Sequence, residues 1–388
     1  MEIIFWIIIA LIVYTIAGYA FVLYLLASLF YRSKKFQKTY SGPLPEVTLL
    51  IPAYNEDKVI SSKLFNALNL DYPKEKLHII VASDGSTDQT NRIVASFQAQ
   101  GVVLFAYPQR RGKISVINEA MKGVSDPIVV LSDANVMYEP QAIRTLVRHF
   151  EDPGVGVVSG NVSLIKTQSL VGKLDLIYQQ YENWVKALET QTGSVTGADG
   201  AMYALRTVDY RPVGSHVILD DLVISMNSVR QGKRIVFEAE AKGEEHSHCS
   251  VKEGFWTRVR VVAGGIQALK QGIAMPTIKQ PLLCFQFISH KVLRWLMPLQ
   301  LLGLFVVNGF ILNQGFYFTV FTLQAGFYSL ALLAHLSGST FLFLSGPYYW
   351  AIQNIGALLG IWRGLTDRQP VMWDKGERYL EKAVSEKH

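Results

Sequence analysis

The sequence predicts an α/β domain with a mainly parallel sheet, held between transmembrane helices. Three observations support that class. Residues 3–31 and 295–362 contain no Asp, Glu, Lys or Arg, whereas the chain as a whole is 18% charged. Between these segments, short apolar runs alternate with stretches of helical pattern. Strands separated by helices imply parallel pairing, because a parallel connection has to cross back over the sheet. Several of the apolar runs end in acids and amides, which puts polar groups at the carboxyl ends of the strands.

The first charge-free segment exceeds both the roughly 20 apolar residues that span a bilayer and the about 7–15 of a signal-peptide core. Residues 1–31 are therefore read as an N-terminal transmembrane helix. A basic linker, residues 32–45, follows with Arg32, Lys34, Lys35 and Lys38, while only Glu2 precedes the helix. Positive charge gathers on the cytoplasmic side of a span, so the central segment is expected in the cytoplasm, at the plasma (inner) membrane. Lys279, Lys291 and Arg294 ahead of the second apolar block agree. That block, residues 295–362 within a C-terminal transmembrane region of residues 291–363, is broken at Asn313-Gln314-Gly315 and Ser337-Gly338-Ser339. Its pieces are each about one span long, giving two or three C-terminal transmembrane helices. One span followed by three would leave the polar tail, residues 364–388, outside, although Arg363, Arg368, Lys375 and Arg378 mark it as cytoplasmic. The span count stays open, with a re-entrant or interfacial segment as one resolution.

The net charge of +6 sits largely beside the apolar blocks, where the lipid bilayer and its anionic headgroups are natural partners. No motif points to nucleic acid. Cys249 and Cys284 are too few for a disulfide framework. Asn161-Val162-Ser163 matches a glycosylation sequon that the expected topology hides.

Residues 46–250 carry the alternating pattern. EVTLLIPAYNED reads as a strand ending at Asn55 and Glu56, ahead of a helix over 58–68. LHIIVASDGSTDQT repeats the plan, with Asp84 after the strand and a helix over 88–99. VVLFAY is a third strand, followed by a helix over 112–123. PIVVLSDAN is a fourth, ending in Asp133-Ala134-Asn135 ahead of a helix over 140–150, and VGVVSG is a fifth. Further on, 222–230 reads as helix, RIVFEAEA as strand, and 251–290 as interfacial amphipathic helices, clearest over 252–270. Open parallel sheets bind ligands beyond the carboxyl ends of their strands. A lone acid there is commonly a turn former or helix cap; three in register point to one crevice. Neither G-x-G-x-x-G nor G-x-x-x-x-G-K-[ST] is present, which argues against dinucleotide and P-loop chemistry.

The ordered set IPAYNED, ASDGSTDQT, LSDANVMYEP, TGADGAMYALR and LDDLVIS resembles membrane-bound family 2 glycosyltransferases of GT-A fold. Cellulose, chitin and hyaluronan synthases are processive relatives. The resemblance runs from about Val47 to Gly272. It implies an inverting transfer from a nucleoside-diphosphate sugar, with UDP as the expected diphosphate, to a saccharide or lipid acceptor. Export or synthase subunits are further partners that it suggests.

By the same resemblance, Ala53, Tyr54 and Glu56 line the base and Asp84 contacts it. Glu56 also fits a helix-terminal charge. Arg111 and Lys113 of QRRGK lie near the diphosphate, or form a solvated basic turn. Asp133 and Asn135 occupy the D-x-D position and would share Mg²⁺ or Mn²⁺, since oxygen ligands suit both ions. The neutral amide makes that site weaker than a pair of acids. Asp199 of GADG is expected at a sugar hydroxyl. Asp221 matches the catalytic base and Asp220 its like-charged neighbour, which raises a carboxylate pKa. An N-cap is the plain alternative for both. His246 and His248 stay outside the metal set.

The pattern departs from the processive relatives at Q-x-x-R-W, which here reads Thr257-Arg258-Val259-Arg260-Val261. Arg258 and Arg260 remain as donor-site candidates, with Arg260 at the motif arginine. The aromatic acceptor platform is missing, so repeated extension is in question. Three readings compete: a polysaccharide synthase, a transferase of one sugar to a lipid, and a silent nucleotide-sugar-binding subunit.

Overall fold

The computed structural model describes residues 1–30, 42–165, 170–245, 251–313, 315–337 and 342–372. Most of the expected basic linker, most of the polar tail, Cys249, His246 and His248 lie outside the described residues.

The chain starts with two apolar helices. α1 (Glu2–Val13) passes through a π-helical turn at Tyr14–Gly18 into α2 (Tyr19–Phe30). The alternating segment follows as β1 (Val47–Ala53), α3 (Ile60–Leu68), β2 (Leu77–Asp84), α4 (Thr90–Ala95), β3 (Val102–Tyr107), α5 (Lys113–Met121) and β4 (Ile128–Ser132). Next come β5 (Met137–Tyr138), α6 (Ala142–Val147), β6 (Val155–Leu164), α7 (Leu170–Thr192), β7 (Met202–Arg206), α8 (Asp220–Arg230) and β8 (Arg234–Glu245). The remaining helices are α9 (Val251–Lys270), α10 (Pro281–Phe287), α11 (Leu293–Trp295), α12 (Met297–Gly309), α13 (Gly315–Ser337) and α14 (Leu342–Leu365).

One sheet has the order β3-β2-β1-β4-β7-β6-β8-β5. The first four strands are parallel, as the strand–helix alternation predicts. β7 then enters antiparallel between β4 and β6, β8 runs parallel to β6, and β5 is antiparallel to β8. The reversal at β7 positions the site. Met202 pairs with Ser132, so the loop before β7 arrives at the same sheet edge as Asp133.

Both faces of the sheet are covered, so the central strands are apolar throughout rather than alternating. Leu50, Val129 and Leu131 point to a core shared with α5 and α8. Leu49, Ile51, Ile128 and Val130 point to the other, shared with α3 and α6. The first core continues through Ile266, Phe287, Trp295, Ala357 and Ile361, so α9, α10, α11 and α14 belong to it.

The C-terminal pieces differ from one another. Glu2–Leu29 and Gly315–Ser337 are long and apolar enough to cross a membrane. Pro281–Trp295 with Met297–Gly309, bent by 62°, makes a third stretch if counted as one. α14 is not among them and lies along α9 instead. Glycines one turn apart flatten its contact face: a Cβ at Gly360 would stand 2.7 Å from the Val259 carbonyl oxygen, and one at Gly364 2.6 Å from that of Ala263. Arg363 lies over the Trp256 ring at 5.0 Å, and Lys270 pairs with Asp367 at 2.5 Å.

Candidate active site

The first wall is built where β1, β2 and β3 end. Asp84 is buried, and its Oδ1 accepts the Arg111 N–H at 2.6 Å while Oδ2 accepts that of Gly112 at 2.8 Å. The acid thereby fixes the basic turn that leads into α5. Gly85, at φ +66°, lets the two turns touch; a Cβ there would meet the Arg110 nitrogen at 2.5 Å. Ala53 and Glu56 are buried beside this turn's neighbours, and the Glu56 N–H donates to Thr90 Oγ1 at 2.8 Å. The Arg110 guanidinium covers the Tyr54 ring at 4.0 Å, and that of Arg111 lies over Tyr107 at 4.7 Å. Arg110 was not singled out in the sequence, because nothing in a basic run tells which member stacks.

α5 starts at Lys113, whose Nζ donates to Asp133 Oδ1 at 2.7 Å and stands 3.7 Å from Asp220 Oδ2. Burial alone would lower its pKa. The charges of Asp133 and Asp220, with Asp221 behind them, overcome that and hold it above the ordinary lysine value. Lys113 therefore stays a cation among three acids.

The turn after β4 is held from beneath by Lys63. This side chain is fully buried, donates to the Val136 carbonyl at 2.5 Å, and lies 3.9 Å over the Tyr138 ring. Burial lowers its pKa to about 7 against the pull of Asp133. Lys63 falls three residues after Ile60 on the apolar face of α3, a signal the sequence did carry. Asn135 is buried, and its Nδ2 donates to Glu245 Oε1 at 2.7 Å. Its Oδ1 is buried with no hydrogen-bond partner.

α8 opens with the paired acids. Asp220 is buried. Asp221 Oδ1 accepts the Leu222 N–H at 2.8 Å, and Oδ2 accepts the Gly200 N–H at 3.1 Å. Gly200 allows that approach, since a Cβ would sit 2.9 Å from Oδ2. Burial first, and then the Asp220 charge, push Asp221 up to about 6, with Lys113 opposing. In the same loop, Asp199 takes the Ala201 N–H on Oδ1 at 3.1 Å, and its Oδ2 lies 3.7 Å from Lys186 Nζ on α7.

α9 steadies the approach to α8. Arg260 Nη2 donates to the Ile218 carbonyl at 3.1 Å, and Gln267 Oε1 accepts the Ile218 N–H at 3.1 Å. The expected donor-site arginines thus lie on the helix that positions the acids. Arg260 touches the backbone ahead of them rather than the acids themselves. The Nε groups of Arg258 and Arg260 are buried without partners.

Among the described residues, no three His, Cys, Asp or Glu side chains cluster as a metal-ligand set. The Asp133–Asn135 pair still fits a hard cation. It offers carboxylate oxygen and the orphaned Asn135 Oδ1, and a Mg²⁺-type site takes few protein ligands beside substrate phosphates.

The family model described as Glycosyl transferase family 2 matches residues 48–207. The chain carries a family 2 glycosyltransferase domain. That domain spans β1 to the end of β7 and holds Asp84, Lys113, Asp133 and Asp199; the acids of α8 lie just beyond it. The poly-beta-1,6-N-acetyl-D-glucosamine synthase of Staphylococcus aureus (strain COL) is 28% identical over 264 residues, covering 65% of this chain and 63% of that protein. Its namesake in Staphylococcus epidermidis is 28% identical over 245 residues, 60% of this chain and 57% of that one. The chain thus spans less than two thirds of these relatives' length. Among solved structures, the mannosyltransferase PcManGT from Pyrobaculum calidifontis, in complex with GDP-Man and Mn²⁺, aligns with a TM-score of 0.70 at 20% identity. The alignment covers 94% of this chain and 100% of that one. The family 2 domain therefore has the α/β GT-A fold with flanking apolar helices.

Proposed function

We propose that the chain transfers a sugar from a nucleoside-diphosphate donor, with UDP as the expected diphosphate, to a hydroxyl of a saccharide or lipid acceptor in envelope or exopolysaccharide synthesis. The observation that carries this reading is Asp221, a carboxylate pushed up to about 6 that accepts the Gly200 N–H and stands next to Asp220, which Lys113 joins to Asp133. A base with that pKa is ionised at neutral pH and still accepts a proton readily. The acceptor oxygen bonds to the anomeric carbon while the bond to the diphosphate breaks, and the hydroxyl proton passes to Asp221. Attack opposite the leaving group inverts the anomeric centre. Lys113 sets positive charge between the acids, where the departing diphosphate gathers negative charge. Asp133 and Asn135 would hold Mg²⁺ or Mn²⁺, which when bound neutralises that diphosphate. Ala53, Tyr54, Glu56 and Asp84 would form the base end of the donor site, with Arg111 toward the phosphates. Asp199 would meet a sugar hydroxyl, and Arg258 and Arg260 offer donors from α9.

The catalytic half is read as cytoplasmic at the inner membrane. Spans at Glu2–Leu29, Pro281–Gly309 and Gly315–Ser337 would return the chain to the catalytic side before α14. The contact of α14 with α9 supports this, and Arg363 and Arg368 then obey the charge rule.

The test is release of UDP or GDP from UDP-N-acetylglucosamine and GDP-mannose by the full chain in lipid, with and without Mn²⁺. Release from one donor is expected, falling about 10²–10⁴-fold in Asp221→Asn. Unchanged release in that variant overturns the reading.

A further inference from the structure

Glu189 is fully buried on α7, where the proposed reaction gives it no part. A buried carboxylate is costly unless polar groups surround it. Three reach it. The Tyr19 hydroxyl, at the start of α2, donates to Oε1 at 2.6 Å. His290 Nδ1, from the turn between α10 and α11, lies 2.7 Å from the same oxygen. The Thr196 N–H donates to Oε2 at 3.3 Å. The other ring nitrogen of His290 faces Glu182 at 3.1 Å, so the imidazole is held at both ends. Tyr19, Thr196 and His290 are all buried. Around them α2 packs on α7 through Leu23, Val185 and Leu188, beside an apolar groove lined by Phe21, Tyr24 and Trp184. One acid is therefore shared by the first candidate span, the bent helix pair and the backbone just ahead of the GADG loop.

The loop that leaves Thr196 ends on the base. Gly197, at φ +144°, lies close against α8, where a Cβ would stand 2.9 Å from Leu222 Cδ1. The Ala198 N–H donates to Ser225 Oγ at 3.1 Å, and the Gly200 N–H donates to Asp221 Oδ2 at 3.1 Å. Every link from Tyr19 to Asp221 is thus a hydrogen bond or a peptide bond. A short loop braced this often on α8 has little freedom to absorb a shift at Thr196.

We propose that Glu189 is a positioning residue for Asp221: oriented by Tyr19 and His290, it fixes Thr196 and through the loop the Gly200 N–H that the base accepts. This rests on the proposed transferase reading, which makes Asp221 the base. The seating of the first apolar stretch then reaches the chemistry through one phenolic hydroxyl.

The test compares Tyr19→Phe with Tyr14→Phe in the full chain in nanodiscs. Each removes one hydroxyl from the first apolar stretch, but the Tyr14 hydroxyl meets Ser289 Oγ at 2.7 Å rather than Glu189. Nucleotide release is read with UDP-N-acetylglucosamine and GDP-mannose, and amide hydrogen exchange is read in peptides over 196–201. Tyr19→Phe should lower kcat about tenfold and leave donor KM within about twofold, because a misplaced base slows chemistry without weakening ground-state binding. Its Ala198 and Gly200 amides should exchange about tenfold faster, while those of β1 and β4 keep their protection. Glu189→Gln should act in the same way and more strongly, costing about 10²-fold in kcat; Tyr19→Phe carries the test if that variant fails to fold. Tyr14→Phe should change neither readout. A Tyr19→Phe protein that matches Tyr14→Phe in both overturns the proposal, as does faster exchange spread evenly over the domain. Ordinary release with no effect of Tyr19→Phe on rate or exchange removes this inference alone. Faster exchange confined to the loop, in a protein whose unsubstituted form releases no nucleotide, removes the transferase reading alone.

Discussion

Lys113 Nζ stands 2.7 Å from Asp133 Oδ1, so the turn after β4 and the start of α5 share one ion pair. With Asp220 Oδ2 3.7 Å away, the same cation joins the expected metal position to the acids of α8.

This link sets opposite pH shifts for two variants. Asp221 has to be ionised to accept a proton, so kcat/KM should fall as pH drops below about 6 and level off above it. Asp220 raises the Asp221 pKa and Lys113 lowers it. Asp220→Asn should therefore move the acid limb to lower pH, and Lys113→Met should move it higher while costing about 10²-fold in rate. Initial rates from pH 4.5 to 8 check both; shifts in the same direction would contradict the base assignment.

Gly200→Ala should act on chemistry more than on folding. The added methyl would sit 2.9 Å from Asp221 Oδ2, forcing the carboxylate off its Gly200 N–H bond. A displacement of that size costs on the order of 10²-fold in kcat. Thermal unfolding run in parallel should shift far less than in a core variant.

The orphaned oxygen of Asn135 gives a metal prediction. Asn135→Ala removes it while leaving Asp133 in place, so the Mn²⁺ concentration for half-maximal nucleotide release should rise about tenfold or more. An unchanged Mn²⁺ titration would take Asn135 out of the site.

The contact of α14 with α9 predicts both stability and sidedness. Gly360→Leu places side chain against the Val259 carbonyl, and overpacking of this kind costs about 1–3 kcal/mol, visible as a lowered Tm. Thr366→Cys, with Cys249 and Cys284 replaced by Ser, should react with an impermeant maleimide in inverted vesicles and not in intact cells. The reverse pattern would place the tail outside.

Much of this was legible in the sequence, and the rest failed for definite reasons. β1 to β4 were readable because each is a short apolar run closed by a polar turn. The reversal at β7 was not, since strand direction depends on pairing with β4 and β6 rather than on local pattern. α7 was passed over: its apolar residues face α2 on one side and a groove on the other, so they do not form one clean stripe. Charge content shows that α14 is apolar but does not register Gly356, Gly360 and Gly364, whose missing side chains let it pack closely on α9. Asp84 looked like a ligand contact from its motif, while its geometry shows that both oxygens also hold the Arg111–Gly112 backbone.

The core that begins at Leu50 and Leu131 does not stop where the alternating pattern does. Ile266, Trp295 and Ile361 are packed into it. A soluble fragment cut at residue 250 would lay bare Val223, Ile224 and their neighbours, and the segment that carries Asp220 and Asp221 would lose its brace from Arg260 and Gln267. The alternating domain and the helices that follow it share this core, so such a fragment should lose stability and activity together.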